Sequence, residues 1–161
     1  MNYTITPVPH GPFTRYQLRR GAEYIGEFPT LAQCEAMRDA SERAGSDDFM
    51  RGYIEALYFT DTGEPEQPPH DAQLSTDALL EIAENCADFQ RLARLRLEHA
   101  YATHNYDAAQ AGRDFWLTRN RHGAGFWDRG LGAVGDDLTR DAHGFSERNA
   151  YIGDDGLIYL E

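Results

Sequence analysis

The stretch from residue 75 to about residue 104 constrains this chain most, because its apolar side chains recur at steps of three and four. Leu79, Ile82, Ala83, Cys86, Phe89, Leu92 and Ala93, continued by Arg96 or Leu97, mark one face of a helix. Ser75 or Thr76 supplies an N-cap. Asp77, Glu81, Glu84 and Asp88 precede Arg91, Arg94 and Arg96, which is the charge order a helix dipole favours. A helix with so long an apolar stripe has to be covered. The expected fold is therefore α+β: an antiparallel sheet from the C-terminal half, this long helix packed on it, and an N-terminal ββα lobe.

The lobe is read over residues 1–45. Residues 3–8 alternate as an edge strand that Pro7, Pro9, Gly11 and Pro12 interrupt. Residues 13–19 and 23–28 form a hairpin around Gly21. A helix over 31–44 follows, capped by Thr30, striped by Leu31, Cys34, Met37 and Ala40, and ended by Gly45. Residues 46–161 form the core domain. Ser46 or Asp47 caps a helix over 49–59, with a strand as the rival reading of I-E-A-L-Y-F-T. Residues 61–71, with three prolines, are a loop, and 105–112 a linker with some helical character. Residues 115–119 then read as a strand, 120–125 as a glycine loop and 126–128 as the returning strand, so that Trp116 and Trp127 would flank each other. A short helix runs from Asp136 or Asp137 to His143, and a hairpin over 151–160 turns at Asp155-Gly156.

The chain has 161 residues and a net charge of −12, and all 15 of its basic residues are arginine. The charge is concentrated. Residues 35–88 hold three arginines against fourteen acids, which gives −11. Such a segment repels nucleic acid, whose affinity for proteins comes largely from cations on phosphates, and attracts basic protein surfaces. Asp47, Asp48, Glu55, Asp77, Glu81, Glu84 and Asp88 are its candidate binding residues, and a solvated acidic face is the plainer alternative. Cys34 and Cys86 lack C-x-x-C spacing and read as two reduced thiols, with a bridge between them as the alternative. No apolar run reaches membrane-spanning length and no export signal is recognisable, so a cytoplasmic protein is expected.

Residues 115–130 hold both tryptophans, three arginines and a histidine. Four stretches resemble a family of small uncharacterised proteins encoded by bacteriophages and prophages: D-F-W-L-T-R-N at 114–120, H-G-A-G-F-W-D-R-G at 122–130, G-D-D-L-T at 135–139 and Y-I-G-D-D-G at 151–156. The resemblance spans roughly residues 47–160 and departs at Arg121, where a small residue such as glycine is common. It implies a phage accessory protein in a bacterial cytoplasm.

The leading expectation is an inhibitor of a host defence complex, of the anti-CRISPR or anti-restriction type. Its acidic surface would mimic nucleic acid and occupy a basic nucleic-acid-binding host protein, with no direct nucleic-acid or membrane contact. Trp116, Arg119, Asn120, His122, Trp127 and Arg129 form a second candidate site, as aromatics and arginines do at interface hot spots. The alternative is a small nucleotide- or nucleic-acid-directed hydrolase, with His122 as base, Asp114 or Asp128 orienting it, and Arg119 or Arg129 on phosphate. That reading expects a concave pocket around His122 with the tryptophans at its edge. His104, His122, His143 and Asp128 lack metal-ligand spacing, and neither metal nor cofactor is expected.

Overall fold

The computed structural model describes residues 2–161 as an α+β protein of two compact units, 1–45 and 46–161. In the first unit, β1 (Tyr3–His10), β2 (Phe13–Arg20) and β3 (Glu23–Phe28) form an antiparallel sheet in the order β1-β2-β3. His10 pairs with Phe13 and Tyr3 with Arg20, so the first turn falls at Gly11, at φ 60°. Pro7 and Pro9 sit on edge strand β1, where a missing N–H costs no ladder bond. Helix α1 (Leu31–Ser46) starts where the Thr30 hydroxyl accepts from the Gln33 N–H at 3.2 Å. Cys34, Met37 and Ala40 are buried with Leu18 and Phe28, but Leu31 is exposed and does not belong to the stripe. Gly45 does not end this helix.

The second unit is mainly helical, so the larger antiparallel sheet lies in the first unit and not in the C-terminal half. Its helices are α2 (Asp48–Asp61), α3 (Thr76–Leu92), α4 (Arg94–Thr103), α5 (Ala108–Arg119) and α6 (Ala133–Ala142). Asp47 caps α2, accepting from Phe49 N and Met50 N, and the strand reading of its last turns falls away. Ser75 caps α3, whose Ala78, Ile82, Ala83, Cys86 and Phe89 are buried. The long helix divides at the fully buried Ala93, where α3 ends and α4 begins. Leu97 and Ala100 continue the buried face beyond it, while Leu92 and Leu95 are 58% and 69% exposed. Arg96 bonds Asp141 on α6 at 2.9 Å.

The main departure from the sequence reading is α5. Residues 108–112, expected as a linker with some helical character, are the first turns of this helix, and 115–119 are helical and not a strand. Asp107 caps α5 by accepting from Gln110 N at 2.8 Å. The β-forming side chains are then overruled by packing against α2. That packing is backbone to backbone: a Cβ at Gly52 would collide with the Ala109 carbonyl, and one at Gly112 with the Phe49 carbonyl. Phe49, Tyr53, Phe89, Phe115, Trp116 and Phe126 fill the core, with the Phe89 and Phe115 rings stacked at 4.1 Å. The returning strand is a 3-10 turn (Phe126–Asp128), so the tryptophans do not flank each other. Trp116 is fully buried and Trp127 is 42% exposed.

The hairpin of β4 (Ala150–Ile152) and β5 (Ile158–Leu160) turns at Asp155-Gly156, with Gly156 at φ 78°. Ile158 also exchanges backbone bonds with residues 73 and 75, tying the end of the chain to the start of α3. Cys34 and Cys86 are both buried and unbridged.

Candidate functional site

Helix α5 ends in a tight backbone motif. The His122 N–H reaches the Leu117 carbonyl at 2.9 Å and the Arg121 N–H reaches the Thr118 carbonyl at 3.1 Å, the paired bonds of a Schellman cap. The motif needs a left-handed residue after the cap. Arg121 fills it at φ 56°, as the one non-glycine residue at positive φ among those described. Arg121 therefore occupies a position where glycine is conformationally favoured. This turn carries His122 onto the end of α2.

His122 Nε2 is buried and lacks a hydrogen-bond partner, and it stands 3.5 Å from Asp61 Oδ1. Asp61 is in turn held from behind. The Trp116 indole donates to the Thr60 hydroxyl at 2.8 Å, and that hydroxyl donates to Asp61 Oδ1 at 2.5 Å. The carboxylate facing His122 is thus Asp61. Asp114 and Asp128, the partners expected from the sequence, are engaged elsewhere.

Beside His122 opens a cleft of about 700 Å³. Helix α2 contributes Glu55, Ala56, Phe59 and Thr60, α5 contributes Gln110, Arg113 and Leu117, and the following turn adds Gly123, Ala124 and Arg129. Its size falls within the range of ligand-binding clefts, and its mix of apolar walls and a few polar groups is typical of them. Phe59 is 86% exposed. Arg113 is fixed through Nε and Nη2 on Glu55 Oε2, at 3.2 and 2.6 Å. Arg129 is fixed through Nε and Nη2 on Asp114, at 2.8 to 3.0 Å.

Asp114 itself is fully buried and also accepts from Tyr106 Oη at 2.7 Å and Gln110 Nε2 at 3.1 Å. Charge-assisted bonds on both of its oxygens are what make a buried carboxylate tolerable. Burial, reinforced by the Asp114 charge, pushes the Tyr106 phenol well above its ordinary value. The bond to Asp114, ahead of its charge, raises the Arg129 guanidinium above its own ordinary value, so it stays cationic.

The other residues of the second candidate site lie outside the lining of this cleft. Arg119 is 2% exposed and lies outside the cleft. It donates to the Ser146 carbonyl and to Tyr53 Oη, between the rings of Phe115 and Phe145. Asn120 Oδ1 accepts from Arg148 N at 2.7 Å, and Asp128 Oδ1 accepts from Gly125 N at 3.1 Å. Neither tryptophan lines the cleft. The structure therefore places His122 and Arg129 on one cleft, from whose lining Arg119, Asn120, Asp128 and Trp127 are absent, although Asp128 Oδ1 stands 3.6 Å from Arg129 Nε.

Most of the acidic residues are committed locally. Asp47 caps α2 and accepts from Gln90, Asp48 pairs with Arg51, Glu55 with Arg113, Glu81 with Arg148 and Asp88 with Arg91. Among the described residues only Asp77 and Glu84 of the seven have no such partner. The set of His104, His122, His143 and Asp128 is not brought together: no group of three or more His, Cys, Asp or Glu among the described residues could hold a metal ion. Among the described residues no helix is long and apolar enough to cross a membrane.

Sequence reasoning missed Asp61, Phe59, Thr60, Gln110 and Arg113. Asp61 reads as the first residue of a proline-rich loop, and no local spacing ties it to His122. No family model matches this chain, and neither a curated protein nor a solved structure matches it.

Proposed function

We propose that the chain is a phage accessory protein that works by recognition, and that its working surface is the cleft beside His122. The observation that carries this reading is the imidazole itself: its Nε2 is buried without a hydrogen bond at the wall of a 700 Å³ cleft. An unsatisfied buried polar atom costs about 1–3 kcal/mol, a cost that a ligand would remove. Leu117, His122, Gly123, Ala124 and Arg129 all line the cleft, so the segment that carries the phage resemblance supplies nearly half of its wall.

A second reading keeps the acidic surface as the contact with a basic host-defence complex. It is favoured by the −11 carried on residues 35–88 and by the unpaired Asp77 and Glu84. The local ion pairs weaken it, because a carboxylate already on an arginine offers less to a partner.

Gly123 provides the separating experiment. A Cβ there meets nothing within 4 Å, so Gly123→Trp plugs the cleft without disturbing the backbone. Ligand and partner capture from a bacterial host lysate, at low and high salt, is compared for the parent protein, Gly123→Trp and the double reversal Asp77→Arg with Glu84→Arg. The cleft reading expects loss of capture with Gly123→Trp alone. Loss only in the double reversal transfers the function to the acidic surface, and unchanged capture in both variants removes both readings.

A further inference from the structure

We propose that the cleft takes a nucleotide-like ligand carrying one aromatic ring and a single negative charge, the ring against Phe59 and the anion at Arg113 and Arg129. The inference rests on the cleft reading above and names the ligand class. Three observations point to it.

The first is the state of the two arginines. Each is clamped along its Nε–Nη2 edge by a carboxylate, Glu55 for Arg113 and Asp114 for Arg129, while Nη1 of each makes no hydrogen bond among the described residues. A guanidinium held on one edge is already ordered, so little side-chain entropy is lost when its remaining donors meet an anion. Two such groups line one cleft.

The second is Phe59. At 86% exposed it is the most exposed of the large apolar side chains, and it lies on the cleft wall with Ala56, Leu117 and Ala124. A phenyl ring at the edge of an apolar cleft is a stacking platform for a planar ligand, and stacking tolerates any base because every base has a π face. The Gln110 side-chain carbonyl and the second ring nitrogen of His122 have no hydrogen-bond partner among the described residues, and both residues line the same cleft. They offer an acceptor and a donor or acceptor to the edge of a heterocycle.

The third is the charge balance, which sets the ligand's charge. Glu55 and Asp114 neutralise Arg113 and Arg129 pairwise, Asp128 stands 3.6 Å from Arg129 as a further carboxylate, and the whole chain carries −12. One anionic group can share the free Nη1 donors at short range. A triphosphate would bring further negative charge with no uncommitted cation to meet it. The expected preference is thus the reverse of a phosphate-loop site: monoanion above dianion above polyphosphate. A free cyclic nucleotide and one linkage of a single strand carry this same chemistry.

The test is an NMR titration of the ¹⁵N-labelled full chain with adenosine, adenosine 3′,5′-cyclic monophosphate, ATP and a thymidine trinucleotide. Shifts are expected in residues 55–60 and 110–129, with the cyclic monophosphate binding at least tenfold tighter than ATP. Phe59→Ala and Arg113→Gln, both surface changes, are each expected to weaken it about tenfold, the stacking loss being of that order, while the remaining spectrum stays in place. Tighter binding of the trinucleotide than of the cyclic monophosphate identifies a strand as the source, and the reverse order a free nucleotide. Tighter binding of ATP, no shifts at millimolar ligand, or an unchanged Phe59→Ala overturns the proposal. Should Gly123→Trp abolish binding of a ligand of another class, the cleft reading stands and only the nucleotide assignment falls.

Discussion

Replacing Gly112 by alanine sets two physical rules against each other. Helix propensity alone favours alanine over glycine inside α5 by about 1 kcal/mol. The structure puts the new methyl group on the Phe49 carbonyl and 3.0 Å from the Tyr53 nitrogen. Both obstacles are backbone, so neither can swing aside as a side chain would. Overpacking of this kind costs about 3 kcal/mol at the upper end of its usual range. Helices α2 and α5 must separate, and the bond from Trp116 Nε1 to Thr60, 2.8 Å long, is then lost for about another 1 kcal/mol. Set against the propensity gain, the net loss is about 3 kcal/mol. For a chain of this size that corresponds to a fall in Tm of about 6–12 °C. Urea and thermal denaturation followed by tryptophan fluorescence read it directly, since Trp116 lies in the affected interface. An unchanged or raised Tm would refute the backbone-to-backbone packing, and with it the position of both helical walls of the cleft.

Arg121→Gly relieves a left-handed residue at a cost of one exposed ion pair to Glu147. Relief of about 1–2 kcal/mol exceeds the glycine entropy cost of about 0.5–1 kcal/mol, so Tm is expected to rise slightly, by differential scanning calorimetry. Asp114→Asn leaves Arg129, and Tyr106 beneath it, without their carboxylate. A loss of about 3 kcal/mol is expected in chemical denaturation, at the low end for a broken buried pair because the Arg129 side chain is 31% exposed. Alkaline pH should also destabilise the fold. Burial holds the Tyr53, Tyr101 and Tyr106 phenols above their ordinary 10.0. The folded state then keeps protons that the unfolded state releases, so stability present below pH 10 falls as pH rises beyond it. Each such group steepens the fall by up to about 1.4 kcal/mol per pH unit, and Tyr106→Phe should flatten a plot of unfolding free energy against pH.

The parts of the fold legible in the sequence are those decided locally. The caps at Thr30, Asp47 and Ser75, the buried face of α3 and the Asp155-Gly156 turn depend on neighbours a few residues away, and all were readable. Helix α5 was not, because Phe115, Trp116 and Thr118 favour strands when taken alone. What makes them helical is the approach of Gly112 to Phe49 and of Gly52 to Ala109, a contact between distant segments. The site divides in the same way. His122 and Arg129 stood out by residue type, but their partners Asp61 and Phe59 come from the far end of α2. The break at Ala93 was hidden because the apolar period, and with it the burial of Leu97 and Ala100, continues through it, and only the backbone of Ala93, at φ −95° and ψ 9°, marks it.

If the cleft beside His122 is the working surface, Gly123→Trp removes binding without unfolding the chain. Thermal melts of the variant should match the parent within a degree or two, because the new Cβ meets no atom within 4 Å. Ligand-induced NMR shifts over residues 55–60 and 110–129 should vanish in the same sample. Shifts that persist with the cleft plugged contradict the claim and move the binding site elsewhere on the chain.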